Sequence, residues 1–263
     1  MDTPHIDPAS ALVIAHACAD RLRTRFGARR VVIFGSVTGD TPWHGRSDID
    51  LGVEGLPEEL FWQAWGDLED LLPPGLAVDL VPLETASPAL RTRILREAPL
   101  PADPQERFKG LIADELASLG RIAQATAAGL VGLPDEPNQI GLRGLASYVH
   151  EFYTGIESIF ERIAIESGEG LPAGEYWHVD LLNQMAQAQP GRRPATIDRS
   201  LRARLRDYLR FRHFFRHAYD YEVQRKKLRP LVEDMAQVLA GLKSQIETFL
   251  GEQKRQPDTR APD

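Results

Sequence analysis

Three aspartates in the first hundred residues have the types and spacing of a metal-binding carboxylate site. Asp48 and Asp50 are two apart in the alternating segment 48–55, so their side chains share a face if the segment is a strand. Asp79 stands inside the apolar segment 76–84. Neighbouring carboxylates repel each other, and Mg²⁺, which prefers oxygen ligands and also takes up phosphates, relieves that repulsion. We therefore expect these aspartates to form a two-metal Mg²⁺ site, with Asp79 also acting as general base.

A Gly-Ser pair precedes these aspartates. Gly35 and Ser36 end the apolar segment RVVIFGS (30–36). Glycine allows a tight turn and the close approach of a phosphate, and the serine hydroxyl and nearby amides can hold phosphate oxygens. A Gly-Ser pair or a D-x-D pair alone is common. The order strand, Gly-Ser, eleven-residue connection, D-x-D and a third aspartate in another strand is more specific.

A second segment whose residue types could perform chemistry is RHFFRHAY (212–219). Histidine exchanges a 2′-hydroxyl proton near neutral pH, and arginine binds a phosphate and stabilises its developing charge, so the pair suits RNA cleavage. On an unbroken helix, Arg212 and His217 lie about 140° apart. They would converge if the helix breaks near His217, or if a second copy packs across a two-fold interface. The alternative is a solvated basic helix face with Phe214 and Phe215 in the core.

The elements that must position these residues divide the chain into two parts. Segments with helical periodicity and segments with strand character follow one another over the first 97 residues, which predicts a compact α/β domain. The proline-bearing segment 98–105 is typical of a linker. Apolar residues then recur at helical spacing, which predicts an all-α helical bundle. The predicted helices are 8–26, 57–72 and 87–97, the strands 30–36, 48–55 and 76–84, the bundle 106–251 with Gly251 as its stop, and the flexible tail 252–263.

Charge is distributed unevenly between the two parts. The net charge is −7, and residues 1–104 carry 16 acidic and 9 basic side chains, whereas residues 105–263 carry 22 of each. The run 199–229 is rich in arginine and lysine and is opposed within the run only by Asp207, Asp220 and Glu222. An acidic part and a part with a basic stripe suggest different partners, and the stripe favours a nucleic-acid backbone.

Cysteine usage and hydropathy indicate a cytoplasmic protein. Cys18 is the single cysteine, so an internal disulfide framework is excluded and a reducing compartment fits. Its apolar helical context predicts a small buried side chain rather than a nucleophile. No signal peptide or long apolar run is evident, so the sequence predicts neither export nor a membrane span.

The pattern of Gly35-Ser36, D-x-D and Asp79 resembles that of the minimal polymerase-β-like nucleotidyltransferases over roughly residues 10–97. The resemblance implies Mg²⁺-dependent transfer of a nucleoside monophosphate to an acceptor hydroxyl. It places Gly35 and Ser36 on the triphosphate, Asp48 and Asp50 on the metals, and Asp79 beside the acceptor.

The sequence departs from that family after the Gly-Ser pair, where an arginine is common. The segment here is VTGDTPWHG, with no cation before Arg46. Either Arg46 supplies the triphosphate contact or the contact is weaker. Trp43 and His44 would stack on a base or lie in an exposed loop.

The segment RHFFRHAY resembles the R-x4-H-x-Y motif of HEPN-type ribonucleases that pair with a minimal nucleotidyltransferase antitoxin. That resemblance spans roughly residues 105–250 and implies a homodimer or higher oligomer, RNA cleavage by Arg212 and His217, and ATP-dependent adenylylation of Tyr219. An added AMP would occupy the arginine and block RNA. Tyr208 and Tyr221 are alternative acceptors, and modification within one chain or between chains stays open.

The combined prediction is a fused toxin–antitoxin protein with ATP and RNA as partners. One alternative is an aminoglycoside-type nucleotidyltransferase whose helical domain binds a small cationic acceptor, and the basic run argues against it. Another is a non-catalytic nucleotide or RNA binder, against which the three aspartates argue for the first domain only. Other polar residues were expected to be structural or solvated: His16 as packing or surface, His178 as a helix-start residue, and Glu151, Glu157 and Glu161 as solvated helix charges.

Overall fold

The computed structural model describes residues 6–39, 42–96, 101, 103–134, 137–216 and 222–253. The chain divides into two compact units, residues 1–101 and 102–263. Each hydrophobic cluster takes its buried residues from one unit, the first unit supplying positions between 15 and 95 and the second supplying positions between 108 and 249. The two units are described separately below.

The first unit is a three-stranded sheet with helices on both faces. The order β1-β2-β3 places β2 in the centre, antiparallel to β1 and parallel to β3. The strands are shorter than the apolar segments predict, because 3₁₀ and turn geometry takes over at their ends. The elements are α1 (Pro8–Phe26), β1 (Arg30–Phe34), a 3₁₀ turn (Gly35–Thr38), β2 (Ile49–Glu54), a 3₁₀ turn (Glu58–Leu60), α2 (Phe61–Glu69), β3 (Val78–Pro82) and α3 (Pro88–Leu95).

Alternation along β2 decides which side chains reach which face of the sheet. Ile49, Leu51 and Val53 belong to the core cluster that also contains buried residues of α1 and α2. Asp50 therefore points to the opposite face, together with Gly52. A Cβ at Gly52 would meet the Ile94 side chain of α3 at 2.6 Å, so α3 packs closely on that face.

Local signals at both ends of α1 explain why this helix matches its predicted bounds. Asp7 caps the N-terminus, accepting hydrogen bonds from the N–H groups of Ala9 and Ser10 at 3.0 Å each. Pro8 occupies the first turn, where its missing N–H costs nothing. Gly27 ends the helix in the left-handed conformation with φ 72°.

The described residues of the second unit form a bundle of five helices. Helix α5 packs against α4, α6 and α7, and α8 packs against α4, α5 and α7. Two helices extend beyond their predicted bounds. The first begins at Pro104, within the predicted linker 98–105, and the last ends at Gln253, beyond the predicted stop at Gly251. The helices are α4 (Pro104–Gly132), α5 (Gln139–Glu166), α6 (Trp177–Met185), α7 (Arg199–Arg216) and α8 (Arg225–Gln253).

Buried Arg193 holds together the connections on either side of α6. Its guanidinium donates to the carboxylate of Glu169, to the carbonyls of Gln184, Gln187 and Pro194, and to the hydroxyl of Thr196. The side chain of Arg193 is fully buried. A buried guanidinium with this many acceptors is well satisfied, so the network fixes the path of the chain into and out of α6.

The single cysteine behaves as its context predicts. Cys18 is fully buried in α1, and burial raises the pKa of its thiol to about 11, so a reactive thiolate is disfavoured. Within the described part of the chain, none of the helices is both long and apolar enough to cross a bilayer.

Candidate functional site

The sheet of the first unit gathers the three predicted aspartates. Asp50 in β2 and Asp79 in β3 are register partners across the parallel pair, and Asp48 immediately precedes β2. One carboxylate oxygen from each of Asp48, Asp50 and Asp79 lies within 4.8 Å of the others. A cation placed among these oxygens would contact ligands from two adjacent strands.

The carboxylates are held in surroundings that disfavour their negative charge. Burial raises the pKa of the Asp48 carboxyl above its ordinary value, and the nearby charge of Asp79 raises it further. Partial desolvation also raises the pKa of Asp79, although this residue keeps substantial exposure. Three carboxylates that offer oxygen ligands close together, one of them exposed, match the ligand preference of Mg²⁺, so the residues present fit that ion.

The Gly-Ser pair lies directly beside this cluster. Strand β1 ends at Phe34, the register partner of Asp50, and Gly35 follows in the left-handed conformation with φ 77°. A Cβ at residue 35 would collide with the Asp50 carboxylate, so only glycine allows the turn to approach the aspartates this closely. Ser36 follows in the 3₁₀ turn and is half-buried. Gly35 and Ser36 thus stand at the edge where a triphosphate would meet the cation.

The connection between Ser36 and Asp48 is anchored by polar contacts. The indole N–H of Trp43 donates to the carbonyl of Ile6 at 2.9 Å, which ties the half-buried ring to the chain before α1. The backbone N–H of His44 donates to the Ser47 hydroxyl at 3.0 Å. Arg46 is exposed two residues before Asp48, and its contact with a triphosphate stays a prediction.

In the second unit, Arg212 belongs to a buried polar network that joins three helices. Its Nε lies 2.9 Å from Oε2 of Glu157 in α5, and its Nη1 lies 2.9 Å from Nε2 of His178 in the first turn of α6. Nδ1 of His178 lies 2.8 Å from Oε1 of Glu157. Arg212 is 9% exposed and Glu157 4% exposed. Burial lowers the pKa of Arg212, and the charge of Glu157 opposes that shift.

The sequence alone does not predict that Glu157 and His178 contact Arg212. The prediction that Glu157 is a solvated helix charge is wrong, because this residue is buried against Arg212. His178 does lie in the first turn of α6, and it also contacts both charged partners. The sequence does contain a signal for this burial. Glu157 is four residues after Tyr153 and three before Phe160, so it shares a helix face with two fully buried side chains.

The charged neighbours of Arg212 include a second cation, Arg216, as well as the carboxylates of Glu157 and Glu161. His150 of α5 is half-buried, and its ring lies against that of Phe215 with centroids 5.6 Å apart. Burial lowers the pKa of His150, and the charges of Arg212 and Arg216 lower it further, against an opposite effect of Glu151. His150 therefore favours its neutral form beside two arginines, an environment suited to a phosphate.

The rest of the predicted motif is His217 and Tyr219, and both lie outside the described residues, as does Tyr221. Tyr208, the remaining alternative acceptor, is 1% exposed, and its hydroxyl donates to the carbonyl of Leu231 at 2.5 Å. Burial raises the pKa of Tyr208 strongly, so this phenol is poorly placed to accept a nucleotide.

The predicted basic stripe is opposed by more carboxylates than those within the run. Helix α8 supplies Asp234 to Arg204 and Glu233 to Arg229. Arg199, Arg206 and Arg210 lie on one exposed side of α7, at spacings of seven and four residues, and Arg210 pairs with Asp207. Arg212 points to the opposite, buried side of the same helix. The solvent-facing basic surface is therefore distinct from the buried arginine.

An open groove of about 470 Å³ lies between α7 and α8. It is relevant to the alternative in which the helical domain binds a small cationic acceptor. Its lining includes Asp207, Glu233 and Asp234. Each carboxylate already pairs with an arginine, so the groove does not present the free acidic surface that a cationic acceptor requires.

A small sheet that brings D-x-D, a third aspartate and a Gly-Ser turn to one place defines a nucleotidyltransferase of the polymerase-β-like class. The family model described as a nucleotidyltransferase domain matches residues 17–101, and the model described as a HepT-like protein matches residues 144–252. Searches of curated proteins and of solved structures give no significant match. The chain therefore carries a nucleotidyltransferase domain followed by a HepT-like, HEPN-type domain, the combination of a toxin–antitoxin-like fusion.

Proposed function

We propose that the first unit transfers AMP from ATP to Tyr219 of the HepT-like unit in a Mg²⁺-dependent reaction. The observation that carries this proposal is the convergence of Asp48, Asp50 and Asp79, whose carboxylate oxygens lie within 4.8 Å of one another beside Gly35. Mg²⁺ bound there would offset the carboxylate charges and polarise the triphosphate.

The residues of the chain would perform the remaining work. Gly35 and Ser36 hold triphosphate oxygens, and Arg46 adds a positive charge beside them. The phenol oxygen of Tyr219 attacks the α-phosphorus of ATP while Asp79 accepts the phenol proton. The bond between the α-phosphorus and the bridging oxygen of pyrophosphate breaks, and pyrophosphate leaves with that electron pair. The products are tyrosine O-AMP and pyrophosphate.

The modification would silence RNA cleavage by Arg212 and His217. In the cleavage reaction, His217 accepts the proton of a ribose 2′-hydroxyl, whose oxygen attacks the adjacent phosphorus as the 5′-oxygen leaves. Arg212 stabilises the charge that develops on the phosphate. A homodimer would bring two Arg–His sets into one cleft. AMP on Tyr219 adds a phosphate that competes for the arginine and a base that blocks RNA.

Intact-mass spectrometry of the purified chain with ATP and Mg²⁺ tests the transfer. We expect mass increases in steps of one AMP, which Asp48→Asn and Tyr219→Phe each abolish. Tyr208→Phe is the matched control and should keep the increase, because the Tyr208 hydroxyl is already bonded within the core. Pretreatment with a phosphodiesterase removes AMP acquired during expression. Absence of any increase after that treatment contradicts the proposal.

Growth on expression tests the silencing. We expect Asp50→Ala to slow growth relative to the unchanged chain, because the tyrosine can no longer be modified. Adding His217→Ala to Asp50→Ala should restore growth. Equal growth of all three chains would contradict a ribonuclease under the control of the first unit.

A further inference from the structure

Glu157, His178 and Arg212 are in mutual contact, through one hydrogen bond and two contacts at ion-pair distance. Arginine has only donors, so Nε2 of His178 accepts from Nη1 of Arg212 at 2.9 Å. Nδ1 of His178 lies 2.8 Å from Oε1 of Glu157, a close polar contact that is not aligned as a hydrogen bond. The second oxygen of Glu157 lies 2.9 Å from Nε of Arg212, at ion-pair distance.

The hydrogen bond to His178 and the ion pair with Glu157 approach the guanidinium from different edges and restrict its orientation. The hydrogen bond uses one of the five N–H donors, so donors remain for a phosphate. Glu157 comes from α5 and His178 from α6, so the orientation of Arg212 depends on three packed helices rather than on its own flexible side chain. This is the arrangement expected where the direction of a guanidinium matters.

A purely structural role explains this network poorly. Moving two opposite charges out of water is costly, and apolar side chains of similar volume often stabilise a core better than a buried ion pair. The fully buried hydroxyl of Tyr153, one turn before Glu157, adds to the cost, because within the described part of the chain it has no hydrogen-bond partner. The bundle therefore carries an expensive polar centre directly behind the arginine of its cleavage motif.

We propose that Glu157 and His178 are positioning residues that orient Arg212 toward the scissile phosphate of RNA. The inference rests on the proposed ribonuclease function and adds two residues outside the R-x4-H-x-Y motif. Loss of either contact leaves a charged arginine in the site but frees its orientation. Because a misplaced catalytic group lowers the rate of the chemical step by up to about 10²-fold, the defect should appear in kcat more than in KM.

The test measures RNA cleavage by the full chain carrying Asp50→Asn, made by cell-free synthesis so that Tyr219 is unmodified. A single-stranded RNA of mixed sequence with a fluorophore and quencher is the substrate. We expect Glu157→Gln to lower kcat by about 10–100-fold and to change KM less than threefold. His178→Ala, which keeps the Glu157–Arg212 ion pair, should lower kcat by about tenfold. This variant provides a second measurement if Glu157→Gln does not fold.

Glu169→Gln is the matched control, because Glu169 also forms a buried ion pair with an arginine in the same unit, and its side chain is 6% exposed against 5% for Glu157. It should lower the melting temperature and keep kcat within threefold of the Asp50→Asn parent. Equal kcat in Glu157→Gln, His178→Ala and the parent overturns the positioning role, as does an equal loss in Glu157→Gln and Glu169→Gln. A parent that cleaves no RNA overturns the ribonuclease proposal itself, and the positioning role with it.

Discussion

Asp48, Asp50 and Asp79 concentrate negative charge that the sheet itself gains nothing from. Two carboxylates about 4 Å apart repel each other by about 1 kcal/mol even in bulk water, and by more where they are partly buried. Burial raises the pKa of both Asp48 and Asp79, and the charge of Asp79 raises that of Asp48 further. Stability is thus given up at the place where a cation and a triphosphate would bind, as at many active sites.

Removing one of these charges should stabilise the first unit in the absence of metal. We expect Asp48→Asn to raise its melting temperature in EDTA by roughly 4–8 °C, the equivalent of about 1 kcal/mol for a unit of about 100 residues. Addition of millimolar Mg²⁺ should stabilise the unchanged chain and have little effect on the variant. Differential scanning fluorimetry with and without Mg²⁺ measures both effects, and equal Mg²⁺ responses would contradict a metal site here.

Gly35 links backbone conformation to the position of the Asp50 carboxylate, a proposed metal ligand. We expect Gly35→Ala to lower AMP transfer by at least about 100-fold, because its Cβ displaces the Asp50 side chain. Gly39→Ala is the matched control: Gly39 has a similar φ of 80°, and a Cβ there meets nothing within 4 Å. Both variants pay about 1–2 kcal/mol of backbone strain, but Gly39→Ala should keep most of the activity. Comparable activity of the two variants would contradict this role of Gly35.

At the scale of elements, each site depends on how a strand or helix is held by its neighbours. The alternation of β2 places Ile49 and Leu51 in the core and thereby turns Asp50 toward Asp79. In the bundle, α6 is only nine residues long, yet it carries His178 to Arg212. A helix this short has little stability of its own, so its position depends on the connections around it.

The Arg193 network is the main polar support of those connections. We expect Arg193→Met to destabilise the second unit by about 3–5 kcal/mol, because it leaves the Glu169 carboxylate buried without its partner. Arg192→Met is the control, since Arg192 is exposed and donates to the carbonyl of Gly168, and it should cost less than about 1 kcal/mol. Urea unfolding followed by circular dichroism distinguishes the two. Equal midpoints would show that the buried network does not stabilise the unit.

At the scale of the whole molecule, the chain joins two units with separate cores. The hydrophobic clusters of the first unit contain residues of the sheet and of α1 to α3. The hydrophobic cluster of the second unit contains residues of α4 to α8 and of the connections between them. Under the proposed function, this fusion would raise the effective concentration of the tyrosine acceptor without any additional contact. A domain with its own core and more than 100 residues is large enough to fold independently.

The second unit should therefore fold and act without the first. We expect residues 102–263 alone to be helical and to unfold cooperatively, as measured by far-UV circular dichroism. Expression of this fragment should slow growth more than expression of the full chain, because no adenylyltransferase is present, and His217→Ala should remove the effect. A fragment that does not fold would contradict the independence of its core, and a folded fragment without effect on growth would contradict its silencing by the first unit.

Local sequence features predict the order of the two domains and the grouping of Asp48, Asp50 and Asp79. Local signals such as Asp7, Pro8 and Gly27 specify α1, and D-x-D on an alternating strand places two carboxylates on one face wherever that strand lies. These features depend on residues close together in the chain. The family models for both domains confirm the class of protein that the motifs predict.

Only the tertiary structure decided which partners Arg212 has. Glu157 is 55 residues before it and His178 is 34 residues before it, and no local spacing relates residues on α5, α6 and α7. Glutamate on a long helix is usually solvated, and periodicity alone does not reveal that a third helix covers its face. The same reason applies to Arg204 of the basic stripe, whose partner Asp234 comes from a different helix. Long-range packing, not composition, determines whether a charge faces water or a buried partner.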